Sequence, residues 1–406
     1  MTALRRITPA ERRARLGRRH LLAPSARAGV PEHVAKALVG LHATDPAAVY
    51  LAVAARMTDP TVTAIDTALY DGPAPGGEPV LARLRCMRRT MFVTPHHLAP
   101  ALHAATSRDA HRHRGDALRR LREAVGWDEH HYARAEQATL AVLAERGAVT
   151  SAELAAAIPA LGEQIVTYPG KPYESRQRVC ALVVGALAAE GRIRRARPAG
   201  SWTSAQFRWT LAQPFPALPA DEAKAELARH YLSAYGPVTA GDLKWWTGWT
   251  LTDTRKAIAA TGAEAVALDE GTGYILAEDN RPVAPAEPWV ALLPGLDSTP
   301  MGWRERDWHL DPAHKKALFD RNGNIGPTVW ADGRIIGAWA QHRDGHISHH
   351  LLTDPGREAR TAIEDETARL ATFLAGTRVT PAYRTPLERE LATQPRSYQL
   401  CGGSDG

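Results

Sequence analysis

The sequence predicts a mainly helical α+β fold: tandem winged-helix units followed by a small β-rich, barrel-like C-terminal domain. Three observations carry that expectation. Two stretches share one grammar, in which a helix, a turn, a short capped helix, a third helix and paired strands follow each other. The spacing Gly-x-Val-Thr-x-x-x-Leu runs from Gly147 to Leu154 and again from Gly236 to Leu243. A proline-rich run over 279–288 then separates these units from a stretch of strand-like alternation.

Taken in order, Thr8 caps a first helix that runs towards Arg27, with Pro9 in its first turn and Glu11 at the capping-box position. A second helix spans Pro31 to Leu41. Asp45-Pro46, a good cap before a good first helical residue, opens the apolar run AAVYLAVAARM. His42-Ala43-Thr44 therefore occupies an interhelical turn. These elements belong to a first unit over 1–132.

The second unit, 133–215, has a helix from Ala133 to Arg146 stopped by Gly147, then Val149-Thr150-Ser151 leading a helix through Ile158. A third helix is expected from Ser175 to Glu190. RIRRARPAGSWTSAQFRWTL then alternates around Pro198-Ala199-Gly200, which reads as a basic hairpin, the wing. The third unit, 216–280, repeats the order: a helix from Asp221 to Tyr235, a short helix containing LKWWTG, a helix from Thr252 to Thr261, and the strands AEAVAL and GTGYIL. In the last unit, 288–406, WVALLPGLD, PTVWADGRIIGAWAQH and GHISHHLL read as strands. Ala331-Asp332-Gly333 marks a hairpin turn there, and a helix from Gly356 to Ala375 closes the domain.

Composition narrows the function classes. The 406 residues are 44% hydrophobic and 23% charged, an ordinary globular balance, and the net charge of +6 suits a polyanionic partner. Cys86, Cys180 and Cys401 show no paired spacing, against both a disulfide framework and a zinc site and in keeping with a reducing cytoplasm. The basic N-terminus lacks an apolar signal core, and no apolar run approaches the roughly 18 residues a membrane span needs. No export and no membrane partner are expected. There is no Walker-type loop and no dinucleotide fingerprint; Gly323 and Gly326 read as turn residues, and no cofactor is expected.

Candidate nucleic-acid contacts are Arg192, Arg194, Arg195, Arg197 and Arg208 of the basic hairpin, whose guanidiniums can fork onto phosphates, and Trp202, which can stack at a base step. Arg176 and Arg178, at the start of the expected third helix, sit where a recognition helix touches the DNA backbone. In the short turn, His42 can act as a base and Thr44 offers a hydroxyl beside it, although a turn histidine is more often structural. Asp45 reads as a helix cap rather than a catalytic carboxylate. The pairs His96-His97, His130-His131 and His349-His350, with His111 and His113, lack metal-site spacing, so no metal is expected.

Three blocks, LVGLHATDPAAVYLAVAARM, LLPGLDSTPMGWRERDWHLD and LFDRNGNIGPTVWADGRIIGAWAQ, resemble the AlkZ/YcaQ superfamily of winged-helix DNA glycosylases, and the resemblance spans nearly the whole chain. It implies three tandem winged helices and a C-terminal β-barrel, with excision of alkylated purines, bulky adducts and some interstrand crosslinks among them. Double-stranded, damaged DNA at the nucleoid is the expected partner, and the chain is expected to act as a monomer. Most such glycosylases carry Gln, an apolar residue, then Gln or Asp where this chain has His42-Ala43-Thr44. The family's Met-Arg-Gly-Thr stretch reads Met87-Arg88-Arg89-Thr90 here, which makes Arg88 a further candidate contact. The competing reading is a non-catalytic winged-helix DNA-binding protein or transcription regulator. Against it, no heptad or other dimerisation helix is apparent for reading paired half-sites.

Overall fold

The computed structural model describes residues 4–72, 77–168, 170–171 and 174–393, without the side chains of residues 107–111 and Thr167. Cys401 and the side chain of His111 lie outside that set. The chain divides into two compact units, Met1–Ile65 with Arg229–Gly406, and Asp66–Ala228.

The first unit opens on the helix Pro9–Arg19, with the Thr8 hydroxyl accepting the Glu11 N–H at 3.2 Å. Glu11 does not complete a capping box; its carboxylate takes Arg5 and Arg15, each at 2.7 Å. The helix ends well before the expected Arg27, because Leu21 adopts a left-handed φ of 57° and a separate 3-10 turn follows at Pro24–Ala26. Upstream, Arg6 bridges Ala267 in parallel, so the N-terminal segment lies beside the strand Glu264–Leu268 and Ile7 packs with Val266, Leu268 and Ile275.

That strand belongs to the repeat predicted from Gly236. Val238–Thr239 is extended, and Thr239 caps the helix Ala240–Thr247 through a full capping box with Asp242. The helix Leu251–Ala260 follows. The strands then pair antiparallel in the order Glu264–Leu268, Gly271–Ile275, Val238–Thr239.

Beyond the proline-rich linker, Val290–Leu293, Thr328–Ala331, Arg334–Gln341 and Ile347–Leu351 form one antiparallel sheet in sequence order. The expected hairpin turn is present: Asp332 and Gly333 take φ of 46° and 82°, the handedness a two-residue hairpin needs. The barrel-like expectation is corrected, since among the described residues the first and last of these strands do not pair and no barrel closes. Helices cover the sheet instead, with Arg357–Leu374 packed on the first strand and Pro386–Thr393 on the third, so its apolar surface is buried without closure.

In the second unit, the hairpin Leu81–Arg85 with Met91–Pro95 precedes the long helix Ala99–Val125. The helix Glu129–Arg146 ends at Gly147, where φ is 72°. Thr150 and Glu153 form a capping box at the start of Ser151–Ala157. The third helix is Val179–Ala189, four residues later than expected. Residues Ser175–Arg178 are a strand paired with Gln164–Thr167, anchored by the buried Ile165. Ile193–Pro198 and Phe207–Leu211 form the expected hairpin, and Val149–Thr150 completes the sheet on the second of these strands. Leu121, Tyr132, Leu143, Leu154, Val183 and Leu187 form the core on which these elements close.

Candidate active site and nucleic-acid interface

In the first unit, the chain leaves the helix Pro31–Ala37, becomes extended at Leu41–His42 and re-enters helix at Pro46–Ala54. Asp45 is a cap, as its neighbours implied. One carboxylate oxygen accepts the Ala47 N–H at 3.0 Å and the other the Ala382 N–H at 2.9 Å. His42 is buried, and its backbone N–H donates to the Ser298 hydroxyl at 3.2 Å while Ser298 donates to the Gly40 carbonyl at 2.9 Å. A single serine thus holds the backbone on either side of Leu41, immediately before the histidine. The Thr44 hydroxyl is shielded from solvent and has no hydrogen-bond partner among the described residues. A buried hydroxyl seldom stays unpaired, so this one has capacity for a bound group.

What holds Ser298 is a buried network that sequence reasoning missed. Arg56 and Asp297, both fully buried, make a two-pronged pair at 2.9 and 2.7 Å. Arg56 also donates to the Thr299 hydroxyl at 2.7 Å and to the carbonyls of His20 and Ala52. Thr299 accepts from Arg56, so its proton is free to go to His20 Nδ1 at 2.8 Å, which leaves His20 Nε2 to donate to the Ala234 carbonyl at 3.2 Å. Burial, with the Arg56 charge nearby, holds the His20 proton affinity well below the usual range and keeps it neutral. The one available signal was a charged residue ending an apolar run, Arg56 after AAVYLAVAA, together with Asp297 in the quoted C-terminal block.

Each candidate contact in the second unit has a definite place. Arg176 and Arg178 were expected at a helix start; they lie on the strand Ser175–Arg178 because those residues pair with Gln164–Thr167. Both are exposed, opposite Val166 and Gln164 on one face, and no carboxylate among the described residues pairs with either. The hairpin arginines differ. Arg192 lies 3.5 Å from Glu136 and 3.6 Å from Glu190, and Arg194 lies 2.6 Å from Glu78. Arg197 pairs with Asp66 and, at 2.8 Å, with Asp71, while Arg208 lies 3.5 Å from Glu153. Arg195 is half-buried against Phe207 and Trp209. Trp202 is partly buried in the loop between the strands. Arg88 sits in a turn with φ of 52°, in a different hairpin from the others.

Cys86 and Cys180 are buried thiols with proton affinities pushed up to about 12 and about 11, chiefly by burial, so neither has nucleophile character. Among the described residues, no group of three or more His, Cys, Asp or Glu is placed to hold a metal ion, and no helix is long and apolar enough to cross a membrane.

The model of the AlkZ-like DNA glycosylase family matches residues 35–373, which takes in the His42–Thr44 turn, the basic hairpin and the C-terminal sheet. The chain belongs to that family. An interstrand DNA cross-link repair glycosylase of Streptomyces sahachiroi is 31% identical over 159 residues, 37% of this chain and 43% of the relative, so the matched stretch spans less than half of that relative's length. The solved structure of the Streptomyces sahachiroi DNA glycosylase AlkZ superposes with a TM-score of 0.68 at 20% identity, covering 93% of this chain and 99% of that one. At that identity the likeness is one of fold. Within this AlkZ-like chain, Arg89 holds a left-handed φ of 62° that glycine adopts more readily. An arginine in that conformation costs roughly 1–2 kcal/mol.

Proposed function

We propose that this protein is a monofunctional DNA glycosylase that hydrolyses the N-glycosidic bond of alkylated purines, bulky adducts and interstrand crosslinks included, in double-stranded DNA. It acts as a monomer in the cytoplasm, at the nucleoid. Residues 133–215 and 216–280 serve as winged helices, and 1–132 and 288–406 flank them in sequence.

The observation that carries the reading is the His42–Thr44 turn: an imidazole and an unpaired, shielded hydroxyl two residues apart on a backbone clamped by Ser298. An N7-alkylated purine is already cationic, so C1′–N9 cleavage sends the electron pair to the base and leaves it neutral. Little acid catalysis is needed. What remains is to place a water against C1′ and take its proton; the Thr44 hydroxyl orients that water and the His42 imidazole accepts the proton as the C1′–O bond forms. The fixed turn keeps both groups in place as cationic character builds on the sugar. The outward pair Arg176 and Arg178, with Arg88, supplies backbone contacts, and Trp202 a stacking surface. Arg192, Arg194, Arg197 and Arg208 reach phosphates only by exchanging the carboxylates they now face.

One feature favours a second reading, a damage-binding protein without catalysis: Thr44 stands where the resembling sequences carry Gln or Asp, and a hydroxyl faces a cationic sugar less well than a carboxylate does. Single-turnover base release from a duplex with one N7-alkylguanine separates the two. Excision by the wild type that falls by about 10²-fold or more in His42→Ala and Thr44→Val establishes the site. No release with duplex binding intact moves the assignment to damage binding, and equal rates in all three proteins remove His42 and Thr44 from the chemistry.

A further inference from the structure

The arginines of the strand Ile193–Pro198 do not share one environment. Arg194 and Arg197 face carboxylates, whereas Arg195 reaches none among the described residues, and its Nε is shielded from solvent without a hydrogen-bond partner there. Its guanidinium carbon lies 4.7 Å from the centre of the Phe207 ring, and that of Arg83 lies 4.8 Å from the same ring. Both arginines line a small open cleft within the second unit, with His96 and Gln213 in its wall. The carboxylate in that wall, Glu78, is already engaged by Arg194 and by the Gln213 N–H at 3.1 Å. Burial first, then the charges of Arg83 and Arg85, pull the Arg195 proton affinity down to about 10. Two cations held against one ring, one of them lacking a counter-charge, is an arrangement that an anion stabilises. The planar fork of a guanidinium matches two oxygens of a tetrahedral phosphate group.

We propose that this cleft binds a phosphate-type oxyanion, gripped by the Arg195 fork with Arg83 beside it. The site does not depend on base excision. Its anion comes either from a DNA backbone diester or from a free phosphate or phosphomonoester.

The test is titration of the full chain with sodium phosphate against sodium chloride at equal ionic strength, read by calorimetry and by thermal unfolding. Wild type binds phosphate saturably and gains several degrees in Tm, and Arg134→Gln, an exposed arginine of the same unit, responds equally. Arg195→Gln abolishes the response. Arg195→Lys, which keeps the charge without the fork, weakens it about tenfold and guards against a variant that fails to fold. The absence of saturable binding by wild type, or an undiminished response in folded Arg195→Gln, overturns the proposal. Duplex binding then identifies the source. A salt slope smaller by about one in Arg195→Gln assigns the anion to the DNA backbone. An unchanged slope with the phosphate response abolished assigns it to free phosphate.

Discussion

The helix Pro9–Arg19 and the strands of the second unit are both rich in arginine, and the structure uses the two sets in opposite ways. On the helix, Arg13 donates to the Trp308 carbonyl, Arg15 to those of Asp279 and Arg281, Arg18 to those of Ala284 and Pro285, and Arg19 to that of Gly236. Arg12 is buried against Glu270. These guanidiniums fasten the helix to the linker, to the repeat around Gly236 and to the segment at Trp308. In the second unit the hairpin arginines mostly face carboxylates of their own unit, and among the described residues Arg176 and Arg178 alone of the candidate contacts present exposed charge without an ion pair on a sheet face. A surplus of arginine therefore locates no polyanion surface. The partners of each guanidinium do, and many of these are far away in sequence.

The sharpest test of that division is an arginine turned wholly inward. Replacing Arg56 by Met leaves Asp297 as a buried, uncompensated charge and removes a donor to Thr299, His20 and Ala52. The expected loss is about 3–5 kcal/mol in urea unfolding. Arg208→Ala, by comparison, breaks a pair that is 40% and 51% exposed on its two sides and should cost about 1 kcal/mol or less. Equal losses in the two variants would erase the distinction between inward and outward arginines.

What could be read from sequence follows the same line between local and distant partners. The helix starts after Thr150 and Thr239, the Asp45 cap and the Asp332-Gly333 turn are legible because each is decided within a few residues. Ser175-Arg-Gln-Arg178 reads as helix in sequence because its strand state rests on pairing with Gln164–Thr167, and four polar residues carry no strand signal alone. The Arg56–Asp297 pair joins positions 241 apart, and His20 meets Thr299 across 279. No local pattern announces either. The sequence suggests a barrel for the open C-terminal sheet because strand alternation shows which face is buried, not whether a helix or another strand covers it.

The inward side also carries two imidazoles that the fold keeps neutral. Burial, then neighbouring arginines, pulls the proton affinities of His20 and His309 well below the usual value; Arg56 and Arg19 act on the first, and Arg12, Arg306 and Arg13 on the second. Both ring nitrogens of His309 lack hydrogen-bond partners among the described residues. In the unfolded chain each histidine takes up a proton as pH falls through about 6.5, while the folded chain resists. The unfolded state then binds more protons, so stability is complete above about pH 7 and declines as pH drops from about 6.5 towards 5. The slope should reach about 1.4 kcal/mol per pH unit for each imidazole. Urea midpoints at about pH 7.5, 6.0 and 5.5 read this directly, and His20→Gln should flatten part of the decline. A profile level down to about pH 5.5 would show that these two sites accept protons without opening.

The smallest effect on stability belongs to the outward pair, and it separates the two classes of arginine most clearly. Arg176 and Arg178 make no ion pair among the described residues, so replacing both by Gln removes charge and no native interaction of that kind. Unfolding free energy should stay within about 0.5 kcal/mol of wild type. Duplex affinity should fall, and the slope of log K against log salt should shrink by nearly two, because a phosphate that no guanidinium neutralises keeps its counterion. Arg13→Gln, on the inward side, should do the reverse: its guanidinium is committed to the Trp308 carbonyl, so stability falls while the salt slope holds. If Arg176→Gln/Arg178→Gln instead destabilised the fold and left the slope unchanged, the strand Ser175–Arg178 would be a structural element, and the DNA-facing surface would have to be sought among the arginines now paired with Glu136, Glu78, Asp66 and Asp71.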